Sequence, residues 1–297
     1  MDLLIHVGFG EPVAFRFAEA LNLGFRWIIN GPIVTDQASE AHMTALLEEF
    51  AQPGAPKLLW KAHSADIAEF GAQSGIPSAI EVFGEPDLDW SSHGWVDYSH
   101  DPVGYGVLLL ESYDRIRQHM PDVPILGGNV SGLSVRGRTY LVDLDPDTWP
   151  ADIALNFHGY PVSWPQNNVL EPPYVGHDGL YLRAVEWQWL HGIRGDRPLW
   201  NSEFGYSNGI HTRFQPEHDL DGRIDLTFAW SEQDTSRYTV IDLDMQKDNG
   251  VQVSGIYQWA DDPRLPEDIK GCYGLHRADG SEKPICNALR SWVVANP

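Results

Sequence analysis

Two glutamates end apolar runs in segments far apart in the chain. Glu85 follows Ala79, Ile80, Val82 and Phe83, and Glu203 follows Leu199 and Trp200. Each therefore reads as a carboxylate at the C-terminal end of a buried strand. Two carboxylates brought to one rim suit the cleavage of a glycosidic bond: one protonates the departing oxygen, the other attacks the anomeric carbon or activates water. Two other chemistries draw on neighbouring residues. His6, His63, Asp87 and Glu85 offer donors for a metal-dependent hydrolase, although the His6-Val7-Gly8 spacing lacks a second histidine. Lys61 ends another apolar run, either as a Schiff-base amine or as a rim cation paired with Glu85 or Glu81.

These residues need a scaffold that presents strand ends together. Strand-like runs are expected at 3–7, 25–30, 57–62, 79–83, 123–126, 152–157, 198–201 and 254–258. Helices are expected between them at 13–21, 39–50 with Ser39 as N-cap, 65–73, 102–119, 179–191, 231–247 and 281–294, with a weak turn at 138–142. Strict alternation of eight strands with helices predicts an α/β chain folded as a single (β/α)8 TIM barrel over residues 1–297, with no linker or repeat to mark a second domain. An open doubly wound sheet is the rival, but no G-x-G-x-x-G follows the first strand.

Composition narrows the partners. The chain has 297 residues, 42% of them hydrophobic, and a formal charge of −22 that disfavours nucleic acid and anionic membrane surfaces. No run approaches the roughly 18 apolar residues of a membrane span. The N-terminus lacks the basic region and cleavage site of a signal peptide, so the sequence leaves open a cytoplasmic protein or a trimmed extracellular form. Cys272 and Cys286 are expected as reduced thiols, with a single bridge as the alternative. Nothing in the sequence sets an oligomeric state.

Several short motifs in chain order carry a resemblance: Gly84-Glu85-Pro86, His158-Gly159-Tyr160, Trp200-Asn201-Ser202-Glu203-Phe204-Gly205, Trp259 after the last strand, and Gly274-Leu275 through Lys283-Pro284. Over essentially its whole length the chain resembles the clan A glycoside hydrolases, cellulase- and xylosidase-like barrels with two catalytic glutamates. The resemblance implies a retaining enzyme acting on a β-linked oligo- or polysaccharide, with Glu85 as acid/base, Glu203 as nucleophile, and no cofactor or metal. Phe83 would desolvate Glu85 and raise its pKa, and Tyr160 or His158 would hold Glu203. Trp259 would lie under the sugar, and Trp90, Trp95 and Trp164 would line the cleft, with His63 among the substrate contacts.

One position departs from the pattern. The clan usually has an asparagine before the acid/base that hydrogen-bonds the sugar 2-OH, and this chain has Gly84. Either another residue supplies that bond, with Asn129 and Asn201 as candidates, or the substrate differs at C2, or activity is weak or lost. The remaining alternative is a carbohydrate-binding barrel with weak or lost turnover, which would keep the aromatic loops but would not require both glutamates.

Overall fold

The computed structural model describes all residues except 9, 33–34, 134, 161–186, 214–225, 230 and 266–270. Eight parallel strands close into a barrel in the order β1-β10-β7-β6-β5-β4-β3-β2. They are β1 (Asp2–His6), β2 (Phe25–Asn30), β3 (Lys57–Ala62), β4 (Ala79–Val82), β5 (Ile125–Val130), β6 (Ile153–His158), β7 (Leu199–Phe204) and β10 (Val251–Ile256). Helices α1 (Phe17–Asn22), α2 (Glu40–Phe50), α3 (Ala65–Ser74), α4 (Pro102–His119), α5 (Val135–Asp143), residues 187–194 as α6, α7 (Glu232–Asp248) and α8 (Pro284–Ala295) follow the strands. The protein is a (β/α)8 barrel, as the alternation of apolar runs predicts.

Helix starts follow local chemistry. Asp101 accepts a hydrogen bond from Gly104 N at 2.8 Å ahead of Pro102, and Ser231 and Asp234 form a reciprocal capping box on α7. Ser39 occupies the N-cap of α2, as expected, but its side chain makes no capping bond. Strands β5, β6 and β7 continue beyond their expected ends, β6 by the single residue His158. Strand β5 runs on through Gly127, Gly128 and Asn129, and β7 runs on to Phe204, so Glu203 lies within the strand. An antiparallel pair, β8 (Ile210–Arg213) with β9 (Leu226–Ala229), was not anticipated. Cys272 and Cys286 are both buried, and no disulfide joins them.

The barrel interior changes character over a single step along the strands. Its lower layer is apolar, filled by Leu4, Trp27, Ile29, Leu59, Ala79, Leu126, Ala154, Trp200 and Val253. Side chains two residues apart on a strand share a face. Beyond Leu4, Leu59, Ala79, Ala154 and Trp200 on that face come His6, Lys61, Glu81, Asn156 and Ser202, all buried. The lower layer is thus a hydrophobic plug beneath a polar upper layer that opens toward the C-terminal mouth.

Because Leu59 is fully buried in this plug, Leu59→Ala is expected to cost about 2–5 kcal/mol in urea unfolding. An unchanged midpoint would show that the plug relaxes around the deletion.

Candidate active site

Glu85 reaches the mouth through an unusual corner after β4. Phe83 and Glu85 both adopt left-handed backbone, with φ of 58° and 55°, and facing Asn129 on β5 does the same at 44°. Such conformations are costly for residues with a side chain and persist only where their surroundings over-determine them. Here Asn129 Nδ2 donates to Val82 O at 2.6 Å and Phe83 O at 3.1 Å, Glu85 N donates to Asn129 O at 2.8 Å, and Trp90 Nε1 donates to Glu85 O at 2.9 Å. Asp87 anchors the next turn, accepting from Ser131 N at 2.8 Å and Ser131 Oγ at 2.7 Å; burial raises its pKa to about 6.

Glu203 projects from β7 beside Ser202, and both serve the interior. Strict alternation would forbid this, but the β6–β7 register shifts between Phe157 and His158, pairing His158 with Glu203. Ser202 Oγ and the Glu81 carboxylate both accept from Asn156 Nδ2, at 2.7 and 3.1 Å. Glu203 meets four donor groups. Lys61 Nζ donates to its Oε1 at 2.7 Å and Tyr160 OH to its Oε2 at 3.0 Å. His158 Nδ1 lies 3.6 Å from Oε2, and His6 Nε2 lies 3.8 Å from Oε1.

His158 links the carboxylates. Its Nδ1 donates to Glu85 Oε1 at 3.0 Å, and its Nε2 lies 3.5 Å from Glu81 Oε1. The nearest oxygens of Glu85 and Glu203 are therefore separated by no more than the sum of their two distances to Nδ1.

Charges in this cluster set one another. Burial opposes the His158 cation, but Glu203, Glu81 and Glu85 outweigh it and hold its pKa up at about 10. Burial likewise opposes the Lys61 ammonium, yet Glu203, Glu81 and Glu85 keep it above the ordinary lysine range. Burial favours a neutral Glu203, but His158, Lys61 and His6 hold it well below the usual carboxylate range. Glu81, buried against Lys61 and His158, falls to about 2. His6 and His63 go the other way. Burial, helped by Lys61, lowers them to about 4 and about 3.

The expected contacts divide. His158 and Tyr160 join both glutamates in one cluster. Trp90 lies beside the Glu85 corner, and His63 stacks on Trp95 at 4.8 Å between centroids and meets Trp90 at 6.5 Å. Trp164 lies outside the described residues. Asn129 and Asn201 are both engaged within the protein. The Asn129 amide is engaged by the β4 backbone, while Asn201 donates to Gln246 on α7 at 3.0 Å and accepts from Gly159 N at 2.9 Å. Trp259 lies within the packing. It is 3% exposed and stacked on His276 at 4.7 Å, which leaves no open face for a sugar. Tyr257 on the same segment instead meets His6 at 5.3 Å and Tyr160 at 6.0 Å between ring centroids. Phe83 packs on His63, Tyr98 and Tyr105, and the near neighbour of the Glu85 carboxylate is His158.

The sequence reading did not place Lys61 on Glu203. Its position ending an inward-facing run was a visible signal, but its partner across the barrel was not. His6, His63, Asp87 and Glu85 do not form one donor set among the described residues. Glu81, His158 and Glu203 are close enough for a cation, and Lys61 Nζ already brings positive charge to two of them.

No family model and no curated protein matches this sequence. Solved structures do match. A family 39 glycoside hydrolase from the gut symbiont Bacteroides cellulosilyticus WH2 aligns with TM-score 0.64 and 16% identity over 98% of this chain and 63% of its own. An exo-beta-1,4-mannosidase from Opitutaceae bacterium strain TAV5 gives 0.63 and 13% over 99% and 59%. The cellulose synthase subunit Z from Clostridioides difficile gives 0.63 and 11% over 97% and 99%. The chain thus spans less than two thirds of the first two proteins. At these identities the likeness is one of fold.

The lowered pKa values of His6 and His63 stabilise the fold above about 6.5, and that contribution is lost as pH falls through about 4 and 3. The raised value of His158 has the opposite sign: its contribution is complete below about 6.5 and is lost as pH rises through about 10. Calorimetry from pH 4 to 10 should show a melting temperature that declines on both sides. The acid-side decline should be shallower in His63→Gln, and an identical slope would contradict the assignment.

Proposed function

We propose that this protein is a retaining glycoside hydrolase acting on β-linked oligo- or polysaccharides, with Glu203 as nucleophile and Glu85 as acid/base. The observation that carries this reading is the shared His158 Nδ1, 3.0 Å from Glu85 and 3.6 Å from Glu203 at the C-terminal mouth of a (β/α)8 barrel. The glycosidases among proteins of like fold, and the motifs surrounding the two glutamates, agree with it.

In the first step a Glu203 oxygen bonds to the anomeric carbon as the bond to the leaving oxygen breaks, and that oxygen takes the proton held by Glu85. In the second step water attacks the anomeric carbon and gives a proton to Glu85, releasing Glu203 as carboxylate. The ionised state of Glu203 suits the nucleophile, since Lys61, His158 and Tyr160 hold it charged and fixed in one orientation. His158, a cation at neutral pH, sits where it can exchange a proton with Glu85 as that residue alternates between acid and base. Tyr160 and Tyr257 border Glu203, and Trp90, Trp95 and His63 form an aromatic wall beside Glu85 suited to the C–H faces of pyranose rings. The sugar is the protein's proposed partner, and no step calls on a metal or cofactor.

The test uses aryl β-glycosides spanning gluco, manno, galacto and xylo configurations. Glu203→Gln should lower kcat by at least about 10³-fold and Glu85→Gln by about 10²–10⁴-fold. More than a tenth of wild-type turnover in Glu203→Gln would remove it from the nucleophile role. Azide should rescue Glu203→Gly with formation of the α-glycosyl azide, and Glu85→Ala with formation of the β-azide. The reverse pairing would exchange the two assignments.

A further inference from the structure

Lys61 crosses the barrel. It leaves β3 and pairs through its ammonium with Glu203 on β7, four strands away around a ring of eight. Its closer neighbour Glu81, in register with it on β4, is 3.5 Å from Nζ, whereas Glu203 is at 2.7 Å. Only a long side chain spans this gap.

Residue 84 leaves it the room. A Cβ at position 84 would lie 2.1 Å from Lys61 Cε and 2.4 Å from Nζ, closer than atoms can approach. Gly84 is not itself in left-handed backbone, unlike Phe83 and Glu85 on either side. Its lack of a side chain therefore serves space, and the space is the one Lys61 fills. A side chain at 84 would force the ammonium end of Lys61 to move from this position. The side chains of Asn129 and Asn201 are engaged within the protein, by the β4 backbone and by Gly159 N and Gln246.

This inference rests on the glycosidase reading above. A nucleophile that attacks the anomeric carbon brings its carboxylate beside the substituent at C2. The Lys61 ammonium, 2.7 Å from that carboxylate, is therefore a candidate donor to that substituent, and hydrogen bonds to the 2-OH strengthen in the transition state of such reactions. We propose that Lys61, admitted by Gly84, is a catalytic residue that holds Glu203 as the carboxylate and donates to the C2 hydroxyl of the sugar undergoing cleavage. The substrate class is a glycoside with a free hydroxyl at C2. An ammonium only donates hydrogen bonds, so the oxygen at C2 acts as its acceptor. The same cation weakens Glu203 as a nucleophile and improves it as a leaving group, which favours the second step.

The experiment compares wild type, Lys61→Met and Gly84→Ala on a matched pair of activated aryl glycosides, one with the C2 hydroxyl and one 2-deoxy. The methionine keeps most of the length without the charge, and the alanine displaces the ammonium without removing it. Both variants are expected to lose about 10²–10³-fold in kcat on the hydroxylated substrate, the scale of one transition-state donor, with much smaller losses on the 2-deoxy analogue. The acidic limb of the pH profile should move upward in Lys61→Met, because Glu203 loses the cation that holds it ionised. NMR titration of the labelled Glu203 carboxyl reads the same shift in any folded variant, active or not.

Equal losses on the two substrates overturn the C2 contact. An unmoved Glu203 titration overturns the hold on the nucleophile. A wild-type protein that hydrolyses no β-glycoside overturns the glycosidase reading, and the C2 contact with it. An active wild type with an indifferent Lys61→Met overturns this inference alone.

Discussion

The upper barrel depends on one balance, between the desolvation of its ions and their attraction for each other. Glu81, Glu203, Lys61 and His158 are all buried, and each alone would favour its neutral form. Together they stay charged because every anion has a cation within a few ångströms, and polar side chains take up further lone pairs. Asn156 alone joins Glu81, Asn129 and Ser202. Such a cluster is poor evidence of stability, since apolar side chains of equal volume often serve as well. Under the function proposed above, its arrangement keeps an ionised carboxylate and an imidazolium side by side out of bulk water.

Strain gathers beside the same cluster. Phe83, Glu85 and Asn129 occupy left-handed backbone that costs each residue on the order of 1–3 kcal/mol. The Asn129 amide, bonded to two carbonyls of the β4 corner, keeps them there. The corner turns Glu85 toward His158 instead of letting it continue the strand. The rigid lower plug supplies the foundation: nine apolar side chains fill the barrel beneath a layer that is almost wholly polar.

Much of the fold was legible because a parallel barrel repeats one local pattern. Strands β2 and β3 and helix α4 fall at the expected residues, since Phe25–Asn30, Lys57–Ala62 and Pro102–His119 are bounded by clear glycine, proline and capping signals. The β8–β9 pair was not foreseen. Strand β7 reached further than expected because polar residues there face the barrel interior, where hydrophobicity no longer marks a buried strand. Trp259 is more deeply buried than its place in the sequence suggested. Its place after the last strand suggested a sugar platform, but burial against His276 makes it part of the packing, and Tyr257 borders the site instead.

By itself the sequence determined the alternation of strands and helices, and with it the barrel and the rim at which Glu85 and Glu203 emerge, because side-chain periodicity and strand ends are local properties. Which charges touch was decided only in three dimensions. Lys61 meets Glu203 across the barrel, His158 faces three carboxylates, and Lys61 passes over Gly84 where a Cβ would meet it. Each of these depends on strand register, on a shift in the β6–β7 pairing and on the distance across the ring. Those are set by closure of the whole sheet, and no single segment encodes them.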